Sequence, residues 1–129
     1  MIEYIETTEG ITPAMLRGFF AGWGNPHTPA THLEILNKSA YIVLAFDRAT
    51  NKVVGFITAI TDFIQSAFIP LLEVLPEYRN QGIGSLLVKR MLEKLSHIYA
   101  IDLMCDYGLQ GFYQKLGMMP AVGMVIRNY

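Results

Sequence analysis

The sequence predicts one domain, residues 1–129, of the α/β (α+β) class: a mixed, mostly antiparallel sheet flanked by helices. Three observations carry this. Two β-branched and aromatic runs, AYIVLAF (40–46) and VVGFITAIT (53–61), stand either side of DRATNK, a polar stretch of hairpin length. An apolar run ending in IPLLEVL leads through a glycine turn into LLVKRMLEKL, with apolar residues every three or four positions, and then into YAIDLMC. That is one central strand–helix–strand crossover. Finally, 52% of the 129 residues are hydrophobic and 16% charged, which fills one interior, and the chain is too short for two ordinary domains.

Taken in order, IEYIET (2–7) alternates apolar and polar residues as a half-buried strand does. Thr12 then reads as a helix cap with Pro13 in the first turn, so MLRGFFAGW is expected to be helical. GWGNPHTP (22–29) is rich in turn residues and a short helix follows over 30–37. The hairpin strands come next, then a third apolar run over 67–75 as one strand. From Gly84 onward Leu87, Val88, Met91, Leu92 and Leu95 form the apolar stripe of a helix. Residues 99–105 are expected as a strand, 109–116 as a short helix ended by Gly117, and 121–126 as a last strand.

Charge and composition narrow the function. Ten Lys and Arg balance eleven Asp and Glu, so no basic field exists to gather the counterions of nucleic acid. One cysteine cannot form an intrachain disulfide, MIEYIETTEG lacks the features of a signal peptide, and no window approaches the ~20 apolar residues of a membrane span. The expectation is a soluble, cytoplasmic protein that binds neither nucleic acid nor membrane.

The most informative stretch is PEYRNQGIGSLL (76–87), where a strand hands over to a helix. A helix N-terminus presents unpaired N–H groups and partial positive charge, and glycines there let an anion approach closely. The same glycines would serve a tight turn and close helix packing, and spacing alone does not separate the two. A P-loop would need Lys followed by Ser or Thr, and a dinucleotide fingerprint would need a glycine where Leu87 stands.

Arg79-Asn80-Gln81-Gly82-Ile83-Gly84 resembles the acetyl-CoA signature of the GCN5-related N-acetyltransferases: Gln or Arg, two residues, Gly, one residue, then Gly or Ala. The lead-in Val74-Leu75-Pro76-Glu77-Tyr78 is similar to the family's own. A second segment, Asp106 to Met118, carries Phe112-Tyr113 and then Leu116-Gly117-Met118, where the family commonly has Tyr and then Gly-Phe. The order of elements from about residue 40 onward also agrees.

The resemblance implies an acetyltransferase that moves an acetyl group from acetyl-CoA to a primary amine of a small molecule, peptide or protein, by direct transfer in a ternary complex and without a metal. A cofactor-binding domain without turnover is the alternative. It implies that backbone N–H groups of Asn80, Gly82, Gly84 and Ser85 hold the pyrophosphate within the turn Arg79–Ser85, Gln81 included. The strand ending at Val74 and Leu75 would pair its open edge with the pantetheine arm, and Arg79 would add charge or lie solvated. Tyr113 would act as general acid toward the departing thiolate, or simply pack its helix.

Glu73, a carboxylate inside IPLLEVL, is the candidate base that deprotonates the amine, directly or through water, unless it faces solvent. Asp106 stands where many relatives carry Asn near the pantetheine and marks a polar site. Cys105 reads as a small core residue. Trp23, His27 and His32 fall where the family builds its acceptor pocket, or pack a loop; their spacing does not suit a metal. His97 is expected at the surface. Homodimers are common in the family and the apolar composition suits one.

Overall fold

The computed structural model describes residues 1–128. Its centre is the expected hairpin: β2 (Tyr41–Asp47) and β3 (Lys52–Thr61) pair antiparallel from Asp47↔Lys52 to Tyr41↔Ala59. Asn51, one of the residues tolerant of left-handed backbone, closes the turn at φ 55°. β1 (Ile2–Ile5), shorter than the expected 2–7, pairs antiparallel with β2.

On its other edge β3 carries two strands where one was expected over 67–75. Pro70 has no N–H to give a ladder, and the run divides there into β4 (Ser66–Ile69) and β5 (Leu72–Val74), both antiparallel to β3. Among the described residues β6 (Ala100–Leu103) pairs only with β4, in parallel, the last partners being Ile69↔Leu103. The sheet therefore runs β1-β2-β3-β4-β6, with β5 attached only to β3. A gap opens between β5 and the chain that continues from β6.

Helices cover both faces. α1 (Pro29–Lys38) extends the expected helix by one residue at each end and is capped by Thr28, whose hydroxyl accepts the Thr31 N–H at 3.1 Å. α2 (Ile83–Lys94) lays Ile83, Leu87, Val88 and Met91 on β2 and β3, each buried. Such fully buried aliphatic side chains contribute about 1.5–3 kcal/mol each. Gly55 lets α2 come close, because a Cβ there would meet Leu87 Cδ1 at 3.2 Å and Ile83 Cγ2 at 3.3 Å. α3 (Gln110–Gln114) is shorter than expected and closes with Gly117 at φ 100°, the Met118 N–H bonding Tyr113 O and the Gly117 N–H bonding Gln114 O.

Two expected elements are absent. The segment 15–23 is not a helix: only a 3-10 turn, Pro13–Leu16, forms. Gly18 (φ 97°), Phe20 (φ 64°) and Gly22 (φ 87°) then turn the chain in the left-handed sense. This sets the buried Leu16, Phe19 and Phe20 against α1 and β3, and tertiary burial prevails over helix propensity. The second is 121–126, which runs without strand pairing and stays exposed.

Candidate active site

The glycine turn takes the form the anion argument requires. Asn80 (φ 63°) and Gly82 (φ 82°) are both left-handed, and Gly82 is the N-cap of α2. The first bond of the helix runs from the Leu86 N–H to Gly82 O at 3.1 Å. The N–H groups of Ile83, Gly84 and Ser85 therefore have no carbonyl behind them. Sequence reasoning included Gly82, Gly84 and Ser85 and omitted Ile83, whose side chain is buried but whose N–H belongs to the same set. Gln81 makes only a long side-chain bond to Glu77 O, 3.5 Å.

The strand leading into the turn has an open edge. Leu75 N–H bonds Val54 O at 2.8 Å and Thr58 N–H bonds Leu71 O at 3.1 Å, so residues 71, 73 and 75 direct their backbone groups toward β3. By the same alternation Leu72 and Val74 direct theirs outward, into the gap. The edge thus comprises Leu72 and Val74, whereas Leu75, expected there, gives its N–H to Val54 O on β3, accepts the Tyr78 N–H at its C=O at 2.9 Å, and has its side chain buried. The period of two in IPLLEVL carried that signal once one bonded residue was known. Arg79 reaches back to this edge, its Nε donating to Val74 O at 2.9 Å. The turn is also tied down at Tyr78, whose hydroxyl donates to Asp47 Oδ2 at 2.6 Å. That bond holds the Asp47 carboxyl below its usual range and pushes the Tyr78 phenol up.

Glu73 is half-buried and faces neither solvent nor α2. Its two carboxylate oxygens accept the Phe20 N–H at 3.0 and 3.2 Å, so the loop that replaced the expected helix is anchored on this carboxylate. Beyond Phe20 lies an aromatic group: Trp23 and His27, both exposed, set their rings 5.0 and 5.1 Å from that of Phe20.

His32 does not join them at the surface. It is 0% exposed, boxed by Phe19, Phe20 and Phe56 with ring centroids 5.3, 5.0 and 4.3 Å away, and neither ring nitrogen has a hydrogen-bond partner among the described residues. Burial, with the nearby His27 second, lowers its pKa to about 4 from 6.5. Folding therefore favours neutral His32, and the stability it contributes is present above pH 6.5 and lost as pH falls toward 4. The expected loss is about 3 kcal/mol, and His32→Phe is expected to flatten that part of the pH–stability curve. Thermal melts from pH 7 to 4 check this; parallel curves for the two proteins would reject it. Asp47 and Asp62 are held below their ordinary 3.8, so their own windows fall lower.

Tyr113 lies on the other face. Phe112, its neighbour on α3, approaches the position of Gly84 from one side and Val74 approaches it from another, so α3 stands beside α2 while Glu73 points toward Phe20. Tyr113 lines a cavity of about 440 Å³ with Phe68, β6, Cys105 and residues 118–123. Its hydroxyl makes no hydrogen bond among the described residues, and burial, then Cys105, raises its pKa above 10. It is a phenol that stays protonated at neutral pH. Tyr113 and Glu73 thus lie on opposite faces of the sheet. Cys105 is half-buried and packs against the core, whereas Asp106 and His97 are exposed. No three His, Cys, Asp or Glu side chains gather as metal ligands among the described residues, nor is any described helix long and apolar enough to cross a membrane.

The chain as a whole is similar to known proteins. The chain is similar, with 45% identity and a TM-score of 0.94 over 98% of its own length and 87% of the other, to a proposed acetyltransferase of Deinococcus radiodurans R1. It is 30% identical, TM-score 0.77, to a GNAT family acetyltransferase of Streptococcus pneumoniae TIGR4, covering 99% of this chain and 98% of that one. Among curated proteins it is 28% identical over 117 residues to the chloroplastic GCN5-related N-acetyltransferase 1 of Arabidopsis thaliana. That match takes in 88% of this chain and 59% of the relative, so the chain spans little more than half the relative's length. The model of the acetyltransferase (GNAT) family matches residues 9–118, which contain the glycine turn, the open strand edge and Tyr113, and the chain belongs to that family.

Proposed function

We propose that the protein transfers an acetyl group from acetyl-CoA to a primary amine of a small molecule, peptide or protein, directly and within a ternary complex. The observation that carries this is the continuity of two binding features. The outward backbone of Leu72 and Val74 leads through the turn at 76–82, with Arg79 Nε on Val74 O, to the N–H groups of Ile83, Gly84 and Ser85 that no helical carbonyl takes. An arm with alternating amide groups pairs with the first as an added strand, and a pyrophosphate suits the second. Asn80, Gly82 and Arg79 shape and charge the turn between them, and Asp106 lies at the rim.

In this reading the thioester lies in the β5–β6 gap. The neutral amine attacks the carbonyl carbon, a C–N bond forms and the C–S bond breaks. The departing thiolate takes the proton of Tyr113, while the proton lost by the amine goes to Glu73, directly or through water. Free thiol released from acetyl-CoA over a panel of primary amines tests the reading. The competing one, cofactor binding without turnover, draws on the engagement of Glu73 by the Phe20 amide. It predicts binding of CoA with no thiol released by any amine.

Glu73→Gln keeps a partner for the Phe20 N–H and removes the base. A fall in kcat of about 10²–10⁴ is expected, typical of a lost general base. Unchanged turnover would pass the role to water or Asp106.

A further inference from the structure

We propose that Tyr78 and Asp47 are positioning residues for the cofactor: their side-chain hydrogen bond holds the turn 76–82 in the shape that presents the Ile83, Gly84 and Ser85 N–H groups to a pyrophosphate. The inference rests on the reading of that turn as the pyrophosphate site, and it adds two residues to which that reading gives no contact with cofactor or acceptor. The Tyr78 hydroxyl donates to Asp47 Oδ2 at 2.6 Å, across 31 residues of sequence. Among the described residues it is the one hydrogen bond that leaves the turn for a distant part of the chain. The Tyr78 N–H bonds Leu75 O and the Arg79 N–H bonds Pro76 O, while the Arg79 and Gln81 side chains reach only Val74 O and Glu77 O, at most five residues away.

The turn has little else to hold it. Tyr78 alone of residues 76–82 is shielded from solvent, so burial does not fix the others. Asn80 and Gly82 both stand in left-handed backbone, φ 63° and 82°, which a non-glycine residue adopts only when its surroundings enforce it. Asp47 is the fixed point at the other end of the bond. It closes β2, is 7% exposed, and its Oδ1 accepts the Ala49 N–H at 3.0 Å, so the hairpin orients the carboxylate that Tyr78 meets. A charged acceptor makes the bond roughly twice as strong as a neutral pair. Without it the turn spends less time in the binding shape, and the apparent affinity for an anion falls by that fraction.

Tyr78→Phe removes only the hydroxyl. Titration calorimetry should give a Kd for CoA about tenfold weaker than wild type, and kcat at saturating acetyl-CoA should stay within about twofold, since Tyr113 and Glu73 are untouched. In Asp47→Asn one carbonyl oxygen must serve both Tyr78 and Ala49, so affinity should fall here too, and the losses should not add in the double variant. In the ligand-free Tyr78→Phe chain, hydrogen exchange should quicken at the Tyr78, Arg79 and Leu86 amides, whose bonds lie in and just after the turn, and stay unchanged along β3. A quickening that extends equally along β3 overturns the proposal, because it marks a general loosening of the fold. Equal falls in kcat and affinity do the same. Normal binding of CoA by the wild type with unchanged affinity in Tyr78→Phe overturns this inference alone, whereas a wild type that binds no CoA overturns it together with the reading on which it rests.

Discussion

Gly82→Val is expected to weaken acetyl-CoA binding roughly tenfold to a hundredfold, because it forces a β-branched residue into left-handed backbone at a cost of about 1–3 kcal/mol. A Cβ at this position meets nothing within 4 Å, so the penalty is conformational and not steric. The chain can relieve it only by rotating the φ of 82°, which swings the N–H groups of Ile83, Gly84 and Ser85 away from their common direction. Gly82→Asn tolerates the conformation better and should lose less than Val. Titration calorimetry with CoA measures the series, and equal affinity across Gly, Asn and Val would refute a pyrophosphate cradle at this turn.

Tyr113→Phe is expected to lower kcat by about 10²–10⁴ and leave acetyl-CoA affinity within a few-fold of wild type. The phenol is buried and its pKa is raised, and its hydroxyl has no hydrogen-bond partner to lose among the described residues. Removing it should leave packing on α3 intact. Phe lacks the one proton the mechanism assigns to this residue, so an unchanged kcat would remove Tyr113 as the acid. Equal losses in affinity and turnover would point instead to a packing role.

The hairpin, the crossover and the amphipathic α2 were legible because each rests on periodicity, and burial reinforces local preference there. The failures have separate physical causes. Leu16, Phe19 and Phe20 have helical spacing, yet a carboxylate 53 residues away takes the Phe20 amide and the chain turns left-handed to reach it. No local signal reports a partner that distant. Pro70 was visible, but that β4 and β5 would share β3 depended on where β6 ends. In the site, Gly82, Gly84 and Tyr113 were readable as motif residues. Ile83 and Leu72 were not, since they take part through backbone groups that side-chain identity does not describe.

The anchoring of Phe20 on Glu73 makes the loop sensitive to the charge state of that carboxylate. A carboxylate holds an amide N–H strongly, while a protonated carboxyl offers a weaker acceptor and a proton that itself seeks a partner. If Glu73 takes the amine's proton, the bond holding Phe20 at its positive φ weakens at the moment the product amide forms. On that proposed reading, the loop that carries Trp23 and His27 against Phe20 would loosen as the proton arrives. Faster hydrogen exchange at the Phe20 amide in Glu73→Gln than in the wild type would register that coupling directly.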